Sequence, residues 1–114
     1  MRNTFINISG NSATNLIGKL FVKNTDNNKY TVDPVDARTI KNMLICNTHA
    51  TNSVRVDLTI YDDSNNYLIL KKVTIPNGAT LSLDSDQVAF DNNLYQMKIQ
   101  LSNTDSAATI KIKH

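Results

Sequence analysis

The sequence predicts an all-β protein, an antiparallel β-sandwich of about eight or nine strands. Three observations carry this. The first is alternation: in 54–60 the residues Val54, Val56, Leu58 and Ile60 are apolar, and Arg55, Asp57 and Thr59 between them are polar, the period-two pattern of a strand with one wet face. The second is punctuation, because clusters of Asn, Asp and Ser recur roughly every eight to twelve residues. The third is composition. All ten acidic residues are Asp, and seven Ala stand against sixteen Asn and twelve Thr. Glu and Ala favour helices, Asn and Asp favour turns, and Thr favours strands.

The elements follow in order. Phe5-Ile6-Asn7-Ile8 reads as a short first strand, Lys19 to Lys23 as a second and Lys29 to Val32 as a third, with a turn cluster at 24–28. Asp33-Pro34-Val35-Asp36 breaks the pattern, since proline cannot donate to a ladder and restricts the residue before it. From Thr39 the signal strengthens. Ile40, Asn42, Leu44 and Cys46 share one face of the next strand and Met43 and Ile45 the other, so both faces are apolar near its end, as in a central strand. A polar loop at 47–52 leads into the strand 54–61. After the turn 62–66 come two short strands, Tyr67 to Leu70 and Val73 to Ile75. Pro76-Asn77-Gly78 is a turn, because proline presets one dihedral and Asn and Gly tolerate positive φ. Ala79 to Leu83 alternates again, Asp84-Ser85-Asp86 turns, and Val88-Ala89-Phe90 is a short apolar piece. Tyr95, Met97, Ile99 and Leu101 alternate with polar residues, as do Ala108, Ile110 and Ile112. The expected core is Leu44, Cys46, Val54, Val56, Leu58, Ile60, Ile69, Val73, Ile75, Leu81, Leu83, Phe90, Tyr95, Met97, Ile99, Ile110 and Ile112. Residues 1–29 are less regular. They read either as an N-terminal arm or edge hairpin beside a sandwich domain of 30–114, or as ordinary strands of the same sandwich.

Charge and special residues narrow the function classes. The 114-residue chain has a formal net charge of +2, and its basic residues are scattered, the nearest to a cluster being Lys71-Lys72 and the tail Lys111 and Lys113. No basic stripe or row of exposed aromatics of the nucleic-acid-binding kind is present, so no nucleic-acid partner is expected. No run approaches the ~20 apolar residues that span a bilayer, and the start lacks a signal-peptide pattern, so the expected place of synthesis is a cytoplasm, with no membrane partner. Asn7-Ile8-Ser9 fits a glycosylation pattern, which carries no weight without such a signal. Cys46 is the single cysteine, so an internal disulfide is excluded.

Candidate chemistry is sparse. Cys46 and His49 offer half a metal site, but a structural zinc takes four ligands and the one other His is His114. The expected role of Cys46 is that of a small buried hydrophobe. Nucleophilic catalysis needs an oriented base, and His49 in an Asn/Thr loop has no evident orienting partner. The oxygen-rich runs 62–66 and 84–86 match no calcium-loop pattern and read as turns in which Asp and Asn satisfy nearby backbone. No catalytic, cofactor-binding or metal site is therefore assigned, and no enzyme is expected.

The run from Thr31 to Phe90 resembles a family of small virion proteins of tailed bacteriophages. The resemblance rests on Tyr30-Thr31-Val32-Asp33-Pro34, on Ile45-Cys46-Asn47-Thr48, on the alternating Val strand, on Tyr67 to Lys71 leading into Ile75-Pro76-Asn77-Gly78-Ala79-Thr80-Leu81, and on the late alternating strand. It covers about residues 30 to 113, and Asp33 before Pro34 departs from its pattern. It implies a non-enzymatic sandwich, immunoglobulin-like in outline, carried on a phage particle as a capsid decoration, neck or tail accessory protein. Cys46 would then pack in the core, Pro76 and Gly78 would set a hairpin, and Leu81 would resume the inward face.

The fold expectation is thus an antiparallel sandwich, immunoglobulin-like or jelly-roll-like. The functional expectation is a structural virion protein whose partners are the major capsid, neck or tail proteins, present in many copies or as a homo-oligomer, with residues 1–29 as the docking arm. The alternative is a carbohydrate-binding or host-adhesion module of a phage fibre, using Asn and Asp of loops 47–52, 62–66 and 91–93, with Tyr61 or Tyr67 in place of the absent Trp.

Overall fold

The computed structural model describes residues 3–16, 37–92 and 94–114. Eight strands lie in these segments: β1 (Asn3–Ser9), β2 (Thr14–Asn15), β3 (Asn42–Asn47), β4 (Val54–Tyr61), β5 (Asn66–Ile75), β6 (Thr80–Asp84), β7 (Gln96–Leu101) and β8 (Ala107–Lys113). A 3-10 turn, Ala37–Thr39, precedes β3, and one turn of helix, α1 (Ser85–Val88), follows β6. The strands expected at 19–23 and 29–32 lie outside the described residues.

The strands form two four-stranded sheets, β1-β8-β3-β6 and β2-β7-β4-β5. All pairings are antiparallel. The pairing follows a simple rule: β1 meets β8, β2 meets β7, β3 meets β6 and β4 meets β5. The chain is one long antiparallel hairpin, rolled up until β3 also meets β8 and β4 also meets β7. Of the two outlines expected, this strand order is that of the jelly roll; an immunoglobulin sandwich places its strands differently.

Residues 3–9 and 14–15 of the segment read as an arm or edge hairpin, or as ordinary strands of the sandwich, are edge strands, one in each sheet. Ile6 and Leu16 from this segment are buried. The rest of 17–29 lies outside the described residues.

The core lies between the sheets, and alternation places most of it. Val54, Val56 and Leu58 of β4, Met97 and Ile99 of β7, and Ile110 and Ile112 of β8 are all at most 1% exposed. Ile75 and Leu83 are buried, while Ile60, Ile69, Leu81 and Phe90 pack partly buried against the cluster. Val73 and Tyr95 are half-buried, and the Tyr95 ring stands edge-on to Tyr67 with centroids 6.1 Å apart.

Three expectations are corrected. First, β3 has the opposite phase: Met43, Ile45 and Asn47 point inward, while Leu44 and Cys46 are half-buried on the outer face. Both faces of this strand carry apolar side chains, so the pattern left the choice open. Met and Ile together remove more apolar surface from water than Leu and Cys, and Asn47 is fully hydrogen-bonded where it lies. Second, Tyr67 to Ile75 is one strand. Val56 pairs with Val73 and Leu58 with Leu70, so Asp57 faces two residues, Lys71 and Lys72. A further shift follows at once, since Thr59 pairs with Leu68 and Ile69 is extra. Two bulges in succession scramble the period that marks a strand. They also blunt an edge strand, with lysines placed where another chain's strand would pair.

Third, the Pro76–Ala79 turn is no hairpin: β5 and β6 belong to different sheets. The turn itself is as expected. Ala79 N donates to Pro76 O at 3.0 Å, and Gly78 has φ +75, the value wanted at the third position of a type II turn.

Candidate binding site

The loops that cross between the sheets, 10–13, 48–53, 76–79 and 102–106, are tied together at one end of the sandwich. Asn47 is the centre of this network. It is 2% exposed, and its Nδ2 donates to Asn52 O at 2.9 Å and to Ile75 O at 3.0 Å. Its Oδ1 accepts from His49 N at 2.9 Å. His49 continues the tie. Its Nδ1 accepts from Thr51 N and Asn52 N at 3.0 and 2.9 Å, and its Nε2 lies 3.2 Å from Asp105 Oδ2. Since Nδ1 is an acceptor, the neutral ring carries its proton on Nε2 and donates it to Asp105. Asn77 Nδ2 donates to Ala50 O, Gly10 N to Ser106 O, and Gln100 Nε2 to Asn11 O.

Of the residues singled out as chemically suggestive, this network takes up His49, and the others have local partners elsewhere. Cys46 and His49 do not converge. The Cys46 thiol donates weakly to Asn47 O at 3.8 Å, in a cross-sheet row with Asn7, Thr109 and Thr80. Cys46 is therefore not the core residue expected, whereas His49 is a loop staple. Among the described residues no three of His, Cys, Asp and Glu group as metal ligands. His114 Nε2 lies 2.8 Å from Thr4 Oγ1. Asp62 Oδ1 accepts from Ser64 N and Asn65 N, both at 2.8 Å, the turn role that Asp plays through its own downstream backbone. Gln87 Oε1 accepts from Asp84 N at 3.0 Å at the start of α1. In loop 91–93, Asn92 Oδ1 accepts from Ala37 N, and Asn93 lies outside the described residues. Tyr61 accepts from Asn15 Nδ2 and carries Lys98 Nζ over its ring at 4.9 Å.

A different constellation lies on the outer face of the β2-β7-β4-β5 sheet. There Arg55, Asp57, Lys72, Gln100, Leu101 and Ser102 line an open depression of about 210 Å³. Strand phase puts the polar ones together. Arg55 and Asp57 are outward residues of β4, Gln100 faces Asp57 across the β4–β7 pair, and Ser102 Oγ accepts from Arg55 N at 3.2 Å. Lys72 arrives through the bulge. Its φ of +52 is left-handed, a conformation that costs a side-chain-bearing residue about 1–2 kcal/mol. Asp57 Oδ1 holds it there by accepting Lys72 N–H at 2.6 Å, a short, charge-assisted bond. Backbone strain next to a cleft, fixed by a carboxylate, is a feature associated with functional sites.

The lining supplies charge and hydrogen bonds. Arg55 and Lys72 bring two cationic heads, and among the described residues neither head is paired. Asp57 keeps its second oxygen, Gln100 its carbonyl and Ser102 its hydroxyl proton for a ligand. The lining thus offers charges and hydrogen-bonding groups to a polar ligand. Sequence reading missed the site. Lys71-Lys72 stood out only as a small basic cluster, and Arg55 and Asp57 only as the polar half of an alternation.

No family model matches the chain. A search of curated proteins finds no match either.

Proposed function

We propose that this chain is a structural virion protein of a tailed bacteriophage. It acts as a non-enzymatic sandwich that attaches to the capsid, or to the neck or tail surface, as a decoration or accessory protein. The observation that carries the reading is the outer side of β1. Its register against β8 is unbroken over seven residues, and no described strand covers its other side. Phe5 on it is 65% exposed, with Lys111 Nζ 5.9 Å from the ring centroid. A regular edge with an exposed aromatic is suited to strand addition by a partner, with main-chain bonds giving affinity and the side chain specificity. The resemblance over residues 30 to 113 supports the setting, and polar outer sheet faces keep the protein soluble before assembly. The partners in this reading are capsid, neck or tail proteins, engaged in many copies.

Deletion of residues 1–29 is too blunt a test, because it removes β1 and the buried Ile6 and Leu16. Phe5→Asp leaves the core intact. The test is antibody labelling of intact virions, followed by co-sedimentation of the purified protein with particles. Labelled particles, and weaker attachment of Phe5→Asp, are expected. Virions without label overturn the reading.

A second reading, a carbohydrate-binding or host-adhesion module, is favoured by the depression around Arg55 and Asp57, whose donors and acceptors lie side by side as hydroxylated ligands require. A glycan array with no bound sugar removes it.

A further inference from the structure

The composition of the depression narrows its ligand beyond sugars in general. A site for a bare anion gains nothing from a carboxylate in its wall. A site for a neutral sugar has no use for two unpaired cations, each of which loses hydration when a ligand covers it. This lining has both: Arg55 and Lys72 are joined by Asp57, which shares β4 with Arg55 and faces Lys72 across the β4–β5 pair. The ligand that satisfies all three carries a carboxylate beside hydroxyl groups. The carboxylate meets the Arg55 guanidinium, which presents a planar fork matched to it, with Lys72 as a second charge. The ligand hydroxyls donate to the uncommitted Asp57 oxygen and the Gln100 carbonyl, and accept from Ser102. The volume of about 210 Å³ lies below the ~300–1,000 Å³ of sites for drug-sized ligands, which limits the occupant to about one ring.

From this we infer that the outer face of the β2-β7-β4-β5 sheet binds a single acidic sugar unit, a uronic-acid-type residue of a surface polysaccharide, in the depression lined by Arg55, Asp57, Lys72, Gln100 and Ser102. The inference rests on the saccharide reading above and is independent of virion attachment. Lys72 reaches the site because Asp57 locks the bulge, so Asp57 both shapes the wall and contacts the ligand.

The test is an NMR titration of the isotope-labelled full chain with four probes: methyl glucuronide, methyl glucoside, acetate and inorganic phosphate. The glucuronide is expected to shift the amides of Arg55, Lys72, Gln100 and Ser102, and to bind about tenfold or more tightly than the glucoside, the worth of one charge-assisted hydrogen bond. Arg55→Gln is expected to abolish the difference in affinity between glucuronide and glucoside. Lys111→Gln, on the outer face of the other sheet, is expected to change neither. Equal binding of glucuronide and glucoside overturns the inference and leaves the saccharide reading standing. Binding of neither overturns both. Shifts of equal strength with acetate or phosphate also overturn it, since they reveal only a weak anion site.

Discussion

Replacing Asn47 by Ala tests the view that one buried amide holds the crossing loops together. The substitution removes both Nδ2 bonds and the acceptor for His49 N. The Ile75 carbonyl loses its partner in a buried place, which costs about 1–3 kcal/mol, and each of the two part-buried bonds adds about 0.5–1.5 kcal/mol. The expected loss is therefore about 2–6 kcal/mol, a large share of the roughly 5–15 kcal/mol that a domain has in total. For a chain of this length that lowers the melting temperature by about 8–25 °C. Urea unfolding is the assay, with a lower midpoint and an unchanged slope as the signature of lost stability. His49→Ala is the comparison. It removes contacts that are exposed to solvent and costs at most about 1 kcal/mol. The reasoning is refuted if Asn47→Ala lies within about 0.5 kcal/mol of the parent, the range of ordinary surface changes, or if it costs less than His49→Ala.

Other substitutions probe separate features. Ile45 is fully buried and Leu44 half-buried on the outer face, so Ile45→Ala should cost about 2–5 kcal/mol and Leu44→Ala clearly less; a reversed order in chemical denaturation restores the phase the sequence suggested. Gly78→Ala meets nothing within 4 Å, so its loss of about 1–2 kcal/mol comes from φ alone, and a thermal melt that does not move contradicts the turn geometry. Lys72→Gly relieves a left-handed backbone and should be neutral or stabilising by about 0.5–1 kcal/mol, the offset being glycine's own entropy. In the Lys72→Gly background Asp57→Ala should cost less than alone, and a double-mutant cycle showing no coupling sinks the proposed lock.

How much the sequence reveals varies strand by strand, for physical reasons. In β4, β7 and β8 the residues between the apolar ones are mostly polar or charged, so only one assignment of faces avoids burying a charge; the core residues expected there are buried except Ile60, which is partly buried at the end of β4 beside the buried Thr59. β3 offers Met43 and Ile45 on one side and Leu44 and Cys46 on the other, and hydrophobicity alone cannot rank two apolar faces. Asn47 tipped the wrong way for the same reason: a polar residue at a strand end reads as loop unless its buried partners, Asn52 O and Ile75 O, are known. β5 reads as two strands because a bulge resets its phase. Pro76-Asn77-Gly78 announces a turn but not whether the next strand stays in the sheet or crosses to the other. The candidate site was illegible for a related reason. Its residues are the outward set of ordinary strands, and nothing in Lys71-Lys72 announces that Lys72 adopts a left-handed φ opposite Asp57.

The pairing rule of the roll has a consequence for how the molecule comes into being. Among β1 to β5 the one described pairing is β4 with β5; β1, β2 and β3 wait for β8, β7 and β6. During synthesis β1, β2 and β3 thus emerge with few partners to bond, and β8, which lies between β1 and β3, emerges after the other described strands. Such distant contacts make for slow, late assembly. A message cut short before β8 does not yield a smaller roll. It yields a chain whose apolar strips have nowhere to go, fit for degradation or aggregation.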